Sequence, residues 1–233
     1  MKNTIAIIPA RGGSKRIPHK NIKKFFGKPL IAYSIETALN SKLFDQVIVS
    51  TDDKQIAKIA QQYGAEVPFL RPANLSNDFT TTGEVTHDLL KRLQIMGINP
   101  SFVCTIYATA PFLQTKYLKE GYNQLVNTDA KVTFSASVMP FPIQRTFKIT
   151  HENRCEMFHP EHFKTRSQDL EESYQDAGQF YWEKISDTPP TILFSKDSIP
   201  IILPRYLVQD IDTIEDWKMA ELMFEVLQKR HLI

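Results

Sequence analysis

Cysteine is nearly missing from this chain: 2 in 233 residues, Cys104 and Cys155. Two cysteines without metal-ligand spacing exclude a disulfide scaffold and a cysteine-based zinc site, and they fit a reducing cytoplasm. A surplus of charge is missing too. Lys and Arg total 28 against 26 Asp and Glu, a formal net of +2. That is too little for a general nucleic-acid binder, although a local basic cluster could still hold a phosphate. No apolar run approaches the ~20 residues that span a bilayer. Met1-Lys2-Asn3-Thr4 leads into a short apolar stretch that ends at Pro9, unlike a signal peptide. The expectation is a soluble cytoplasmic protein with no nucleic-acid or membrane partner. Glycine is also scarce, 8 residues, under half the ~7% usual share. Yet Gly12 and Gly13 are adjacent directly after an apolar run, which marks a tight backbone feature there.

What is present is ordinary for a globular domain: 42% hydrophobic and 23% charged residues, with no repeat, low-complexity tract or linker. The length suits a single domain over residues 1–233. Ile5-Ala6-Ile7-Ile8 is continuously apolar, as in a strand buried on both faces of a parallel sheet. Lys28 to Asn40 predicts a helix with Pro29 near its start. Val47 to Thr51 predicts a second buried strand, after which Asp52 can cap a helix that Gly64 stops. Ala65 to Phe69 predicts a short strand, and Ala73 to Thr81 a polar loop. Val85, Leu89, Leu90 and Leu93 mark a helix, Phe102 to Tyr107 a strand, Lys116 to Asn127 a helix, and Lys131 to Val138 a strand with alternation. A last helix runs from Thr213 to Lys229. Strands alternating with helices predict a mostly parallel α/β sheet of Rossmann-like type. Met139 to Glu172 breaks the pattern, being rich in Pro, His and charge. So long a stretch without a helical period predicts an extension that packs on a second subunit.

The segment Ile8-Pro9-Ala10-Arg11-Gly12-Gly13-Ser14-Lys15-Arg16-Ile17-Pro18-His19-Lys20-Asn21 follows the first strand. It therefore lies at the carboxyl end of the sheet, where open α/β folds bind ligands. Paired glycines allow successive N–H groups to converge on an anion. Arg11, Lys15, Arg16 and Lys20 add four cations, which makes the segment a polyphosphate cradle. It is neither a Walker loop nor the dinucleotide Gly-x-Gly-x-x-Gly, and any one of its cations could equally belong to a basic surface turn. Asp210-Ile211-Asp212 sets two carboxylates one residue apart, which lets both face one cation on an extended chain. Alone, such a pair is as well explained by Asp212 capping the helix that begins at Thr213, supported by Glu215.

This string resembles the signature of the CMP-sugar synthetases, the acylneuraminate cytidylyltransferases. The resemblance continues through Val49-Ser50-Thr51-Asp52-Asp53, Leu70-Arg71-Pro72-Ala73, Thr109-Ala110-Pro111 and Asp210-Ile211-Asp212-Thr213, and so covers nearly the whole chain. It implies a reaction in which the anomeric hydroxyl of a 2-keto sugar acid attacks the α-phosphorus of CTP and pyrophosphate leaves, with Mg²⁺ as cofactor. It assigns Ala10, Arg11, Gly12, Gly13, Ser14, Lys15, Lys20, Asn21, Arg71 and Thr82 to the nucleotide, with Asn21 and Arg71 at the cytidine and Thr82 near the α-phosphate. Asp210 and Asp212 are the implied metal ligands, and Arg11, Lys20 and Asp212 the implied catalytic groups. Lys20 is expected to be an exposed cation. The extension at 139–172 resembles in position the arm through which family members dimerise, which implies a homodimer.

Where sialic acid enzymes of the family carry an amide and an arginine, this chain has Tyr107 and Leu113, and its later stretch Tyr174 to Trp182 also differs. Both variants resemble pseudaminic acid cytidylyltransferases, whose nonulosonic acid ends in a methyl group that an aromatic and apolar wall suits. Tyr107, Arg166, Gln175, Asp176 and Gln179 are the candidate sugar-binding residues. Sialic, legionaminic and 3-deoxy-manno-octulosonic acids are alternative substrates, and a catalytically idle nucleotide-binding domain is the alternative of another class. His87 is expected to be structural, His151, His159 and His162 surface residues, and Cys104 a buried strand residue.

Overall fold

The β-branched run Thr4–Pro9 forms the strand that organises the sheet, because only a strand covered on both faces can bury so continuous an apolar stretch. In the computed structural model, which describes residues 3–186 and 193–233, β1 (Thr4–Pro9) is followed by a small hairpin of β2 (Lys24–Phe25) and β3 (Lys28–Pro29). Then come α1 (Leu30–Ser41), β4 (Gln46–Ser50), α2 (Lys54–Gln62), α3 (Thr82–Ile95), β5 (Phe102–Ile106), α4 (Thr115–Asn127) and β6 (Val132–Val138). The last elements are β7 (Phe147–Ile149), β8 (Cys155–Met157), β9 (Tyr174–Lys184), β10 (Ser198–Ile202) and α5 (Ile214–Lys229). The main sheet has six strands in the order β10-β6-β9-β5-β1-β4. β1 pairs parallel with both β4 and β5, and β10 parallel with β6. Only β9 runs antiparallel, wedged between β5 and β6. The mostly parallel α/β sheet expected from the sequence is therefore what the chain forms.

Three local expectations are corrected. Asp53, not Asp52, caps α2, its carboxylate accepting from the amides of Gln55 and Ile56. The Ala65–Phe69 strand reduces to a single bridge between Ile48 and Glu66. Neither β9 nor β10 was expected as a strand. In β9 the pattern is interrupted: Phe134 pairs with Tyr181 but Ala136 with Asp176, so β9 carries extra residues opposite Ser135. The Ser135 hydroxyl accepts from the amides of Gln179 and Phe180, and Gly178 adopts a φ of +61° that other residues rarely take. The alternation seen in β6 comes from Thr133, Ser135 and Ser137, all buried. Thr133 donates to the Gly121 carbonyl and Ser137 to that of Leu203, so neither hydroxyl is left unpaired.

One packing feature fixes the site. Trp217, Ala220, Phe224 and Leu227 line the buried face of α5. The Phe25 ring meets Trp217 and Phe224 edge-on at centroid distances of 5.5 and 5.1 Å, contacts worth about 0.5–1.5 kcal/mol each beyond area burial. They dock the C-terminal helix against the segment that follows the cradle. Between β6 and β9 the chain leaves the sheet through short turns and the β7–β8 hairpin. Phe141, Phe147, Ile149, Phe158 and Phe163 stand exposed there.

Candidate active site

The loop after β1 ends at the carboxyl edge of the sheet, as its position in the sequence requires. It is held from below. The Gly12 amide donates to the Asp52 carboxylate at 2.9 Å, and a Cβ on Gly12 would lie 2.7 Å from an oxygen of Asp53 and 2.9 Å from its Cβ. Glycine is therefore required by close approach. The Asn21 side chain donates to the Arg11 carbonyl at 3.0 Å, and Ala10 is buried with its amide on the Ser50 carbonyl. Among the described residues the Gly13 amide has no partner, which leaves it available to an anion. Asn21 and the Gly12 amide thus shape the loop, while Arg11, Ser14, Lys15, Arg16 and Lys20 line a cavity of about 300 Å³.

The same cavity is lined by Asn21, Arg71, Thr82, Tyr107 and Asp212, residues from five separate parts of the chain. Arg71 is buried and bonds the Ser50 hydroxyl and carbonyl. Desolvation lowers its pKa, Asp52 opposes that, and Arg11 adds to it. Thr82 opens α3, whose N-terminal turn faces the cavity, an orientation favourable to negative charge. Lys20 is not an exposed cation: its side chain is 17% accessible, and its ammonium donates to the Ile211 carbonyl at 2.6 Å and to Asp212 at 3.1 Å. Arg16 reaches the other oxygen of Asp212 at 2.7 Å. The two ends of the chain meet through these three side chains.

Asp212 does not cap α5. Thr213 does, in a capping box with Asp216, and Glu215 takes no part in it. The Asp210 carboxyl is pushed up from its ordinary range, first by burial and then by the charge of Asp212, with Lys20 pulling the other way. A divalent cation would relieve that repulsion, and oxygen donors of this kind suit Mg²⁺, which takes one or two carboxylates and completes its shell with phosphate and water. No group of three or more metal-binding side chains gathers among the described residues, so further ligands would come from the substrate.

The expected sugar residues are less united. Tyr107 lines the cavity and packs against Tyr181 at 5.3 Å between ring centroids. Tyr181 donates to the Asp176 carboxylate at 2.6 Å. Burial, then Tyr107 and Asp176, push the Tyr181 phenol far up, which keeps it protonated. Gln179 is 3% exposed and donates to the Leu207 carbonyl, and among the described residues its Oε1 is buried without a partner; neither it nor Asp176 lines the cavity. Gln175 is exposed on β9. Arg166 lies in the extension, gripped by both oxygens of Asp169, and the structure does not bring it to the cavity. Cys104 is buried and its thiol pKa raised by burial. His87 and His151 are exposed, and His159 and His162 half-buried. Sequence reasoning missed Asn77, Asp78 and Thr80, which also line the cavity. Their position between Arg71 and Thr82 is the signal that could have found them.

A family model described as cytidylyltransferase matches residues 5–201. The chain is 45% identical over 227 residues to a pseudaminic acid cytidylyltransferase of Campylobacter jejuni, covering 97% of each chain. It is 34% identical to a CMP-N,N'-diacetyllegionaminic acid synthase of Legionella pneumophila, again over 97% of each. Among solved structures, a CMP:2-keto-3-deoxy-manno-octonic acid synthetase complexed with CTP has the same fold. Its TM-score is 0.67 at 14% identity, covering 96% of this chain and 98% of the other. No helix among the described residues is long and apolar enough to cross a membrane.

Proposed function

Because the chain belongs to the cytidylyltransferase family, we propose that it transfers CMP from CTP to the anomeric hydroxyl of pseudaminic acid, releasing pyrophosphate. The observation that carries the reading is the single cavity in which four cations of the β1 loop meet Arg71, Thr82 and Asp212. Arg11, Lys15 and Lys20 offset the charge of the triphosphate and of the departing pyrophosphate, with the Gly13 amide and the Ser14 hydroxyl as further donors. Arg71 and Asn21 address the cytidine, and Thr82 at the start of α3 lies toward the α-phosphate. Asp210 and Asp212 would hold Mg²⁺. When bound, it supplies charge neutralisation at the phosphates. Lys20, already touching Asp212, is the group best placed to stabilise negative charge on the reacting phosphate, with Arg11 lining the same cavity.

For the sugar, Tyr107 gives the cavity an aromatic wall, backed by Tyr181 and, through its hydroxyl, Asp176, while the buried Gln179 acts from behind by holding β9 to the Leu207 carbonyl. An apolar, aromatic wall leaves a hydroxylated tail without hydrogen-bond partners, and such losses discriminate strongly. In a competition of equal pseudaminic, legionaminic and N-acetylneuraminic acids with CTP, CMP-pseudaminic acid should dominate the products. A majority of either other product would refute the substrate, though not the reaction class. No product from any of the three, with CTP still bound, would favour the idle domain.

The 139–172 segment belongs to this one catalytic domain as a dimerisation arm. Its exposed Phe141, Phe147, Ile149, Phe158 and Phe163 make an apolar surface of the kind a second copy covers. Arg166 and Gln175, both away from the cavity, would act near that interface. Light scattering of the active protein at micromolar concentration should give twice the 26.8 kDa chain mass. A monomer mass in a fully active sample would refute the arm's role.

A further inference from the structure

Asp78 lies at the tip of the loop that connects the buried Arg71 to the start of α3. One of its carboxylate oxygens bonds Arg11 at 2.8 Å and the other bonds Lys15 at 2.5 Å. The Asn77 carbonyl adds a third acceptor, taking a hydrogen bond from Arg11 at 3.0 Å. The tip is folded by the Asn77 side chain, whose oxygen accepts from the amides of Phe79 and Thr80 at 2.8 and 3.0 Å. This turn sends Asp78 into the cradle while Phe79 points to solvent, 92% exposed. Among the described residues Asp78 has no side-chain partner besides these two cations.

Two oxygens of one anionic group, each on a different cation of the cradle, reproduce what phosphate oxygens of a nucleotide would do there. We infer that Asp78 is a built-in competitor for the triphosphate subsite, occupying Arg11 and Lys15 until CTP displaces it and returning to them as pyrophosphate leaves. The inference rests on the CTP reading above and adds to it a residue that sets nucleotide affinity and product release. Asp212 pairs with the other two cations of the cradle in the same way, but it has Asp210 beside it and a bound cation would give its charge a use. Among the described residues the only other carboxylate lining the cavity is Asp212, held by Arg16 and Lys20, so toward an incoming polyanion Asp78 acts by exclusion and repulsion. Hydrogen bonding to Lys15, chiefly, holds its carboxyl below the usual range, so it is charged at neutral pH. Both ends of the loop are anchored, by the Arg71 bonds to Ser50 and by the capping box of α3. Displacing the tip therefore breaks only the ion pairs, the Asn77 contact and the short turn.

The test is calorimetric titration of the full chain and of its Asp78→Asn and Asp78→Ala variants with CTP and, separately, with inorganic pyrophosphate. Loss of two exposed ion pairs should tighten both ligands about three- to tenfold, and pyrophosphate should become a correspondingly stronger product inhibitor. Unchanged or weaker binding in both variants would overturn the inference and make Asp78 a brace that positions Arg11 and Lys15. If the unsubstituted chain binds neither ligand, the CTP reading itself falls and this inference with it. If it binds both but the variants bind no tighter, only the inference falls.

Discussion

Replacing Lys20 with alanine should lower kcat/KM for CMP transfer by about two to three orders of magnitude, the scale of losing one preorganised charge-stabilising donor. The structure changes what else must be measured. Lys20 is largely covered and satisfies the Ile211 carbonyl, so alanine also leaves that carbonyl without its partner, a cost of about 1–3 kcal/mol. A lowered unfolding temperature is therefore expected beside the lost activity. Lys20→Met, which retains the aliphatic stem, should recover part of the stability and none of the rate. Unchanged kcat/KM in a folded Lys20→Met protein would remove Lys20 from the chemistry.

The Asp212→Asn variant should need a higher Mg²⁺ concentration for half-maximal activity and lose at least about tenfold in turnover at saturating CTP, because one charged ligand is gone. Binding of CTP in the absence of metal should hold or tighten, since Arg16 and Lys20 are released from their carboxylate partner. The same change removes the like charge beside Asp210, so the Asp210 carboxyl should titrate lower than it does with Asp212 in place. The decisive measurement is the metal titration of the initial rate. An unaltered midpoint would mean that Asp212 serves to tether the cradle and holds no metal.

Both experiments probe one arrangement. Every cation of the loop after β1 that lines the cavity is matched by a carboxylate from a distant segment, Arg11 and Lys15 by Asp78, Arg16 and Lys20 by Asp212. Four like charges this close repel one another, and two carboxylates hold them in place while leaving a positive surplus for a polyanion. Mg²⁺ at the Asp210–Asp212 pair and CTP on the cations would be linked, since each removes a partner from the other's site.

Local patterns determined the parts whose physics is local. The apolar run of β1, the 3.6-residue periods of α1 to α5, the stop at Gly64 and the glycine pair before a cluster of cations are properties of neighbouring residues. They were legible in order along the chain. The capping of α5 was open in the sequence because Asp212, Thr213, Glu215 and Asp216 all suit a helix start. Only the fold assigned it to Thr213 and Asp216, which left Asp212 to face Lys20. β9 was not legible as a strand because its extra residues opposite Ser135 break the period of two, and its pairing with β5 and β6 depends on partners far away in sequence. Asp78 looked like one more residue of a polar loop. Its position on Arg11 and Lys15 follows from β1, β4 and α3 bringing two loop tips together, a distance set by sheet and helix packing that no spacing along the chain encodes. The sequence thus determined which residue types the site contains and where the glycines must be. Which charge meets which was decided by tertiary structure, because ion pairs between residues 63 or more positions apart form only after the apolar core has fixed their backbones.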